Sequence, residues 1–167
     1  MTPRAIWLTG LSSTGKSSVA GELRALLLAR GVVPVRLDGD VLRAALPRPA
    51  GYGREERLAL ARYYGRLARE FVEQGHLVIC STVSLFHEVQ AWNRQHIPGY
   101  FEVWLRAPAA ELERRDHGRR VYTGARGAVV GRHVVPEFPG SPDLIVDNHG
   151  VTTPSAAARR ILDRVDA

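Results

Sequence analysis

The sequence predicts an α/β domain in which helices flank a five-stranded parallel sheet. Two patterns carry this prediction. Five short apolar runs of strand length alternate with segments of helical periodicity, which is typical of parallel strands joined by right-handed crossovers. The first run leads directly into a glycine-rich loop and a helix. The chain of 167 residues suits one domain, 1–167, with a sizeable core.

The first strand, at residues 5–9, precedes a loop that reads Gly-Leu-Ser-Ser-Thr-Gly-Lys-Ser. This is the G-x-x-x-x-G-K-[ST] pattern of phosphate-binding loops, whose backbone N–H groups surround a polyphosphate at a helix start. Lys16 is the only lysine in the chain, and a compact ammonium fits between phosphate oxygens where a planar guanidinium is too large. We therefore predict ATP binding here, with the Ser17 hydroxyl on Mg²⁺. The predicted binding residues of the loop are Gly10, Ser12, Ser13, Thr14, Gly15, Lys16, Ser17 and Ser18.

The remaining elements follow from the same two periodicities. Helical patterns cover residues 17–30, 40–46, 55–74, 86–96, 109–116 and a last helix from 154. Apolar runs cover residues 32–37, 77–80, 100–105 and 144–146. Gly31 and Gly75 end two helices, and Thr153-Pro154 supplies the N-cap and first residue of the last one. The fully apolar third strand favours a central position, and by analogy with phosphate-loop kinases we expect the strand order 2-3-1-4-5.

Residues of about 117–140 show neither periodicity and are rich in Gly, Arg, Val and Pro. A long irregular stretch inside a compact domain is usually functional, so we expect an arginine-rich lid. Arg119, Arg120 and Arg126 lie within it, and lid arginines close over ATP phosphates in many kinases. The alternative interpretation is a solvated charge cluster.

Composition narrows the classes of function. No apolar stretch is long enough to span a bilayer, the N-terminus lacks a signal-peptide pattern, and Cys80 is the single cysteine. We therefore expect a cytoplasmic protein without a membrane partner. The net charge of +6 could indicate nucleic-acid binding, but the arginines are scattered and no aromatic stacking platform accompanies them. We expect no nucleic-acid partner.

Two acids stand where the second strand ends, in Asp38-Gly39-Asp40. Ligands bind at this edge of open parallel sheets, and phosphoryl transfer needs carboxylates near Mg²⁺ and the acceptor hydroxyl. The third strand runs into Ser81-Thr82 and offers no acid. We predict that Asp40 activates the acceptor hydroxyl and that Asp38 supports Mg²⁺ through water. The alternative is a strand-end turn in which Asp40 caps the next helix.

Two arginines are candidates for binding an anionic acceptor. Arg43 lies about one helical turn past Asp40, so both side chains can face one pocket. Arg57 stands in the first turns of the long helix. Either could hold an anion through bidentate hydrogen bonds, and the alternative for each is an exposed surface position.

The chain resembles the adenylyl-sulfate kinase (APS kinase) family over nearly its whole length. The residues that carry the resemblance are the phosphate loop, Leu37-Asp38-Gly39-Asp40 with Arg43, Gly51-Tyr52-Gly53 with Glu56-Arg57, Arg115-Asp116, Pro142-Asp143-Leu144 and Asp147-Asn148. The resemblance implies transfer of the ATP γ-phosphate to a ribose 3′-hydroxyl of adenosine 5′-phosphosulfate. It also implies that Asp38 and Asp40 are the magnesium and base acids, and that a homodimer is possible. By position, Arg43 and Arg57 resemble clamps of the acceptor nucleotide, Tyr52 stacks on its adenine and Arg115 contacts the ATP purine.

The departures from this family lie mainly on the acceptor side. The Glu-Asn pair of the long helix is replaced by Ala59-Leu60, and a Pro-Tyr-Arg segment by Leu85-Phe86-His87. Ser13 replaces a glycine of the phosphate loop. The predicted acceptor wall is completed by Leu60, Thr82, Val83 and Ser84. A pocket altered in this way favours a second hypothesis, a kinase of another nucleotide-linked acceptor such as cytidine diphosphoramidate.

A third hypothesis is a nucleotide-binding regulator that transfers no phosphate to a small molecule. A guanine-reading Asn-Lys-x-Asp run is absent from the sequence, and a regulator has no need of paired acids at the second strand.

Overall fold

The computed structural model describes residues 4–116 and 129–166. The strands are β1 (Ala5–Thr9), β2 (Val35–Asp38), β3 (Val78–Ser81), β4 (Tyr100–Arg106) and β5 (Leu144–Asp147). All neighbouring strands run parallel, in the order β2-β3-β1-β4-β5. The predicted α/β class and strand order are confirmed.

The helices flank this sheet on both faces. They are α1 (Lys16–Ala29), α2 (Gly39–Ala44), α3 (Arg54–Glu73), α4 (His87–His96), α5 (Ala109–Arg115) and α6 (Pro154–Val165). The Thr153 hydroxyl accepts a hydrogen bond from the N–H of Ala156, so the predicted N-cap of α6 is confirmed. Within these described ranges, no helix has the length and apolar character needed to cross a membrane.

The alternation of β1 side chains divides the core into two halves. Ile6 and Leu8 face the cluster formed with α1 and α6, whereas Ala5 and Trp7 face the cluster formed with α3. Every residue of β1 is fully buried, because this strand is central and covered by helices on both faces. Cys80 lies in the second cluster and is buried.

The second strand is shorter than predicted, beginning at Val35 rather than at residue 32. Val32 and Val33 are exposed, and Pro34 has no N–H to offer the ladder. Pairing begins at the next residue, whose N–H donates to the carbonyl of Leu77 at 2.8 Å. An apolar run that precedes proline therefore overstated the length of the strand.

The alternative in which Asp40 caps the short helix after β2 is wrong, because the cap lies two residues earlier. α2 begins at Gly39, and its N-cap is Asp38, whose carboxylate accepts the N–H of Asp40 at 3.1 Å. Asp38 keeps the extended conformation of the strand, with φ −102° and ψ 125°, and this is the backbone geometry of an N-cap. Asp40 lies in the first turn instead, where its charge suits the positive end of the helix.

Candidate active site

A cavity of about 630 Å³ opens at the carboxyl ends of the strands, where β1 leads into the phosphate loop and β2 into the paired acids. The predicted site residues line it with three exceptions. Gly10 and Thr14 are buried and do not line it, and Arg119 lies outside the described residues, as do Arg120 and Arg126. Residues from five separate stretches of chain thus meet at one edge of the sheet.

The backbone of the phosphate loop requires both of its motif glycines. Gly10 has φ 147° and Gly15 has φ 89°, which side chains rarely adopt. A Cβ at Gly10 would collide with the carbonyl oxygen of Leu105, and one at Gly15 would lie 2.6 Å from Nδ2 of Asn148. Lys16 is buried, and its Nζ donates to the carbonyls of Gly10 at 2.9 Å and Leu11 at 2.7 Å.

Ser13 adopts the same left-handed region, with φ 64°. This explains why glycine is usual at this place, since a side chain there costs about 1–2 kcal/mol. Its Oγ is buried and has no hydrogen-bond partner among the described residues. The loop therefore holds serine in place of glycine at the cost of backbone strain.

Asn148 supports the loop from below, a role that the sequence did not reveal. It follows β5, is buried, and donates from Nδ2 to the carbonyl of Thr14 at 2.7 Å. Its own N–H donates to the carbonyl of Arg106 at 2.8 Å. The sequence signalled Asn148 only through the family resemblance and its place after a strand, and neither indicated a contact with the phosphate loop.

The carboxylate of Asp38 is held by donors from three elements. Its Oδ2 accepts from the hydroxyls of Ser17 at 2.6 Å and Ser81 at 3.0 Å, and from Arg36 at 3.3 Å. Burial alone would raise its pKa, but the hydrogen bonds from Ser17, Ser81 and the N–H groups of Asp40 and Val41 outweigh burial and lower the pKa below its ordinary value. Asp38 is therefore a fixed, ionised carboxylate next to the Ser17 hydroxyl.

Asp40 differs from Asp38 in being exposed to the cavity. It lines the same wall as Arg43, as the helical spacing predicted. Sequence reasoning missed the contribution of Ser81, because a serine at a strand end has no motif that marks it.

Tyr52 lies close to both arginines that are predicted to bind the acceptor, Arg43 and Arg57. The guanidinium carbons of Arg43 and Arg57 are 4.1 Å and 5.3 Å from the centre of its ring, which is within cation–π range. Arg43 also donates to the carbonyls of Ala50 and Gly51, and Arg57 to that of Tyr52 at 2.8 Å. Burial and then the nearby charge of Arg43 lower the pKa of Arg57, so this corner of the cavity concentrates positive charge.

Other residues that line the cavity are mostly apolar or carry hydroxyls. Leu60 and Ala61 of α3 line it, with Tyr64, whose hydroxyl donates to the carbonyl of Gly39 at 3.2 Å. Burial raises the pKa of Tyr64 to about 12. Thr82 and Ser84 hydrogen-bond each other through their hydroxyls.

Three residues that depart from the family pattern do not line the cavity: Leu85, Phe86 and His87. Leu85 packs against Val130 and Val134, and Phe86 is buried against α3. The His87 ring donates from Nε2 to the carbonyl of Phe138 at 2.9 Å. These residues hold the segment 129–138, which we call the returning segment, and their effect on the acceptor is indirect.

Arg115 reaches the cavity from α5. Its Nε donates to Glu111 at 2.6 Å, and the hydrogen bond from Arg114, together with that from Arg115, lowers the pKa of Glu111 to about 2. The guanidinium is therefore held where it lines the cavity near Gly15 of the phosphate loop, and its contact with the ATP purine stays a prediction.

A phosphate loop that shares its cavity with paired acids and a cationic aromatic corner defines a nucleotide-dependent kinase of the phosphate-loop class. A model of the adenylylsulphate kinase family matches residues 2–147. The chain belongs to this family, and the resemblance in the sequence is confirmed.

Individual relatives and structures agree with this. An adenylyl-sulfate kinase of Pseudomonas aeruginosa is 34% identical over 170 residues, covering 98% of this chain and 86% of the relative. A cytidine diphosphoramidate kinase of Campylobacter jejuni is 33% identical over 150 residues, covering 87% and 86%. The Mycobacterium tuberculosis APS kinase in complex with AMPPNP and APS has a TM-score of 0.89 at 29% identity, with 99% of both chains covered.

Proposed function

We propose that this chain transfers the γ-phosphate of ATP to a hydroxyl of a nucleotide-linked acceptor, with adenosine 5′-phosphosulfate as the leading acceptor. The observation that carries the proposal is the single cavity, because the phosphate loop, both acids and the Arg43–Tyr52–Arg57 corner open into it together. In-line transfer needs donor and acceptor in one space that excludes water.

On the donor side, the loop N–H groups and Lys16 would bind the phosphates. The Lys16 ammonium donates to the carbonyls of Gly10 and Leu11, so it lies within the loop that would bind the phosphates. Ser17 and Asp38 would hold Mg²⁺, since a hydroxyl and an ionised carboxylate 2.6 Å apart are the oxygen donors that this ion takes together with phosphate oxygens. Bound Mg²⁺ supplies charge neutralisation on the transferring phosphate.

The two acids divide their roles by environment. Asp38 has a lowered pKa and accepts hydrogen bonds from Ser17, Ser81, Arg36 and the N–H of Asp40, so it is poorly suited to accept another proton. Asp40 is exposed to the cavity and is free of such a network of side-chain donors in the described part of the chain. We assign to Asp40 the proton of the acceptor hydroxyl and to Asp38 the support of Mg²⁺ through water.

On the acceptor side, the ring of Tyr52 would stack on the base while Arg43 and Arg57 bind the anionic group. An anion between the two guanidinium groups removes the repulsion that lowers the pKa of Arg57. The corner therefore favours an acceptor that carries sulfate or phosphate.

A second acceptor class is supported by Leu60. This side chain presents an apolar surface where the APS kinase pattern has asparagine, and the Campylobacter jejuni relative acts on cytidine diphosphoramidate according to its name. A nucleotide-linked acceptor with a smaller base and fewer polar contacts suits such a wall.

The test is ATP turnover with Mg²⁺, measured without acceptor, with adenosine 5′-phosphosulfate and with cytidine diphosphoramidate. Strong stimulation by the adenylyl compound supports the leading proposal, and stimulation by the cytidine compound alone supports the second. ATP binding with turnover by neither would contradict both and favour the regulator. Sedimentation of the same sample tests the proposed homodimer.

A further inference from the structure

The Asp38 carboxylate is oriented by a buried hydroxyl that the phosphate-loop motif does not include. We infer that Ser81 is a positioning residue, which holds Asp38 in the orientation that Mg²⁺ requires. This inference rests on the proposed function, because it concerns the metal that the kinase reaction uses.

The sheet itself places Ser81 beside Asp38. The two residues end β3 and β2 and are direct partners in the parallel ladder, so their side chains project from the same face. Ser81 is buried, and its Oγ lies 3.0 Å from Oδ2 of Asp38. An ionised carboxylate only accepts, so the Ser81 hydroxyl must donate.

Ser17 and Ser81 share one carboxylate oxygen but are not equivalent. Ser17 lies in the first turn of α1, and its oxygen is the one that the motif assigns to Mg²⁺, while its single proton is donated to Asp38. Ser81 comes from the neighbouring strand and belongs to no motif. It therefore fixes Asp38 independently of the group that binds the metal, which is the role of a supporting hydrogen bond around a metal site.

The third donor to the same oxygen provides a contrast. Arg36 lies 3.3 Å from Oδ2, and 35% of its side chain is exposed, so solvent screens the contact. Ser81 is 3% exposed. Removal of the buried hydroxyl should therefore disturb Asp38 more than removal of the exposed guanidinium, although the latter carries the full charge.

The experiment compares ADP binding with and without Mg²⁺ by calorimetry in wild type, Ser81→Ala, Ser81→Thr and Arg36→Gln. Wild type should bind ADP more tightly with Mg²⁺. We expect the factor by which Mg²⁺ increases the affinity for ADP to be about tenfold smaller in Ser81→Ala than in wild type. The affinity for metal-free ADP should be unchanged. Ser81→Thr keeps the hydroxyl and should retain the gain, and Arg36→Gln should lose less than Ser81→Ala. The matched control is Ser155→Ala, because the Ser155 hydroxyl lies on α6 and accepts an exposed hydrogen bond from Arg159.

An unchanged Mg²⁺ gain in Ser81→Ala would overturn the inference, as would equal losses in the alanine and threonine variants. If Ser81→Ala does not fold, Ser81→Cys retains the volume with a weak donor and should show the same loss in smaller degree; an unchanged gain there also overturns it. A wild-type protein without any Mg²⁺ gain would instead contradict the proposed metal-dependent function.

Discussion

The phosphate side and the acceptor side of the cavity are built in different ways. The phosphate side is one contiguous loop of eight residues, hydrogen-bonded to Asn148 and Asp38, and its proposed binding groups are mostly backbone N–H groups. The acceptor side is assembled from α2, the loop before α3, α3 itself and the end of β3, and it depends on side chains. A local motif therefore fixes the first, whereas tertiary packing decides what each residue of the second does.

The strongest test of the phosphate side is Lys16→Ala. We expect turnover to fall by at least about 100-fold, because the variant lacks the cation that meets charge on the transferring phosphate. The fold should persist, because the hydrogen bonds of Nζ to the carbonyls of Gly10 and Leu11 and to the Thr14 hydroxyl lie within the loop and not in the core. Steady-state turnover and thermal melting measure the two effects.

The control for this variant is Arg24→Ala, which removes an exposed cation from the same helix, α1. It should leave turnover near the wild-type value. Near-normal activity of Lys16→Ala would show that the cavity is not the site of phosphoryl transfer.

The fold and the phosphate side could be predicted because their signals are local. Apolar periodicity specifies strands and helices, and Gly10 and Gly15 are required by the backbone itself. Ser81 and Asn148 could not be assigned roles, because their importance comes from pairing β2 with β3 and from the position of β5 under the loop. Such neighbours across the sheet leave no pattern in the sequence.

On the acceptor side, the sequence marks residues as unusual without showing whether they line the cavity. Leu85 and His87 depart from the family pattern as visibly as Leu60 does, yet only Leu60 lines the cavity. The other two hold the returning segment through apolar packing and a hydrogen bond to Phe138. A departure from a family pattern therefore locates a change in structure without telling whether that change reaches the substrate.

Leu60→Asn tests whether the acceptor side determines specificity. The variant restores a polar group to the cavity wall, so we expect the ratio of kcat/KM for adenosine 5′-phosphosulfate to that for cytidine diphosphoramidate to rise by about tenfold. The KM for ATP should stay unchanged, because Leu60 lies on α3 and is not part of the phosphate loop.

Leu60→Met is the matched control, since it keeps an apolar side chain of similar volume. It should leave the ratio of the two acceptors close to that of wild type. The same ratio in the asparagine variant would mean that the wall at Leu60 does not discriminate between acceptors.

Glu137→Ala tests the indirect support of the acceptor side. Glu137 accepts the N–H of His87 at 2.7 Å at the start of α4, and a hydrogen bond from Arg54 at 2.9 Å at the start of α3. Its loss removes both a cap and an ion pair, so we expect a decrease of about 1–2 kcal/mol in the free energy of unfolding. Because α3 also carries Arg57, the KM for the acceptor should rise severalfold while the KM for ATP is unchanged.

Denaturant unfolding and steady-state kinetics measure these effects, with Glu73→Ala as the control. Glu73 forms an exposed ion pair with Arg69 one helical turn earlier on α3, so its loss should cost less than about 0.5 kcal/mol. Equal losses in the two variants, or a rise in the KM for ATP alone, would show that Glu137 does not support the acceptor side.

Ser13→Gly is the smallest expected effect and tests whether the phosphate side is strained. Glycine relieves the positive φ, worth about 1–2 kcal/mol, and removes a buried hydroxyl without a partner in the described structure, while it adds about 0.5–1 kcal/mol of backbone entropy to the unfolded chain. The free energy of unfolding should therefore increase by about 1 kcal/mol.

Ser12→Gly is the control, and it should decrease the free energy of unfolding. Ser12 has no positive φ, so glycine there adds only the entropy cost and loses the contacts of the serine. Stabilisation by both glycines, or by neither, would contradict a strain confined to Ser13, and denaturant unfolding of the two variants decides the sign.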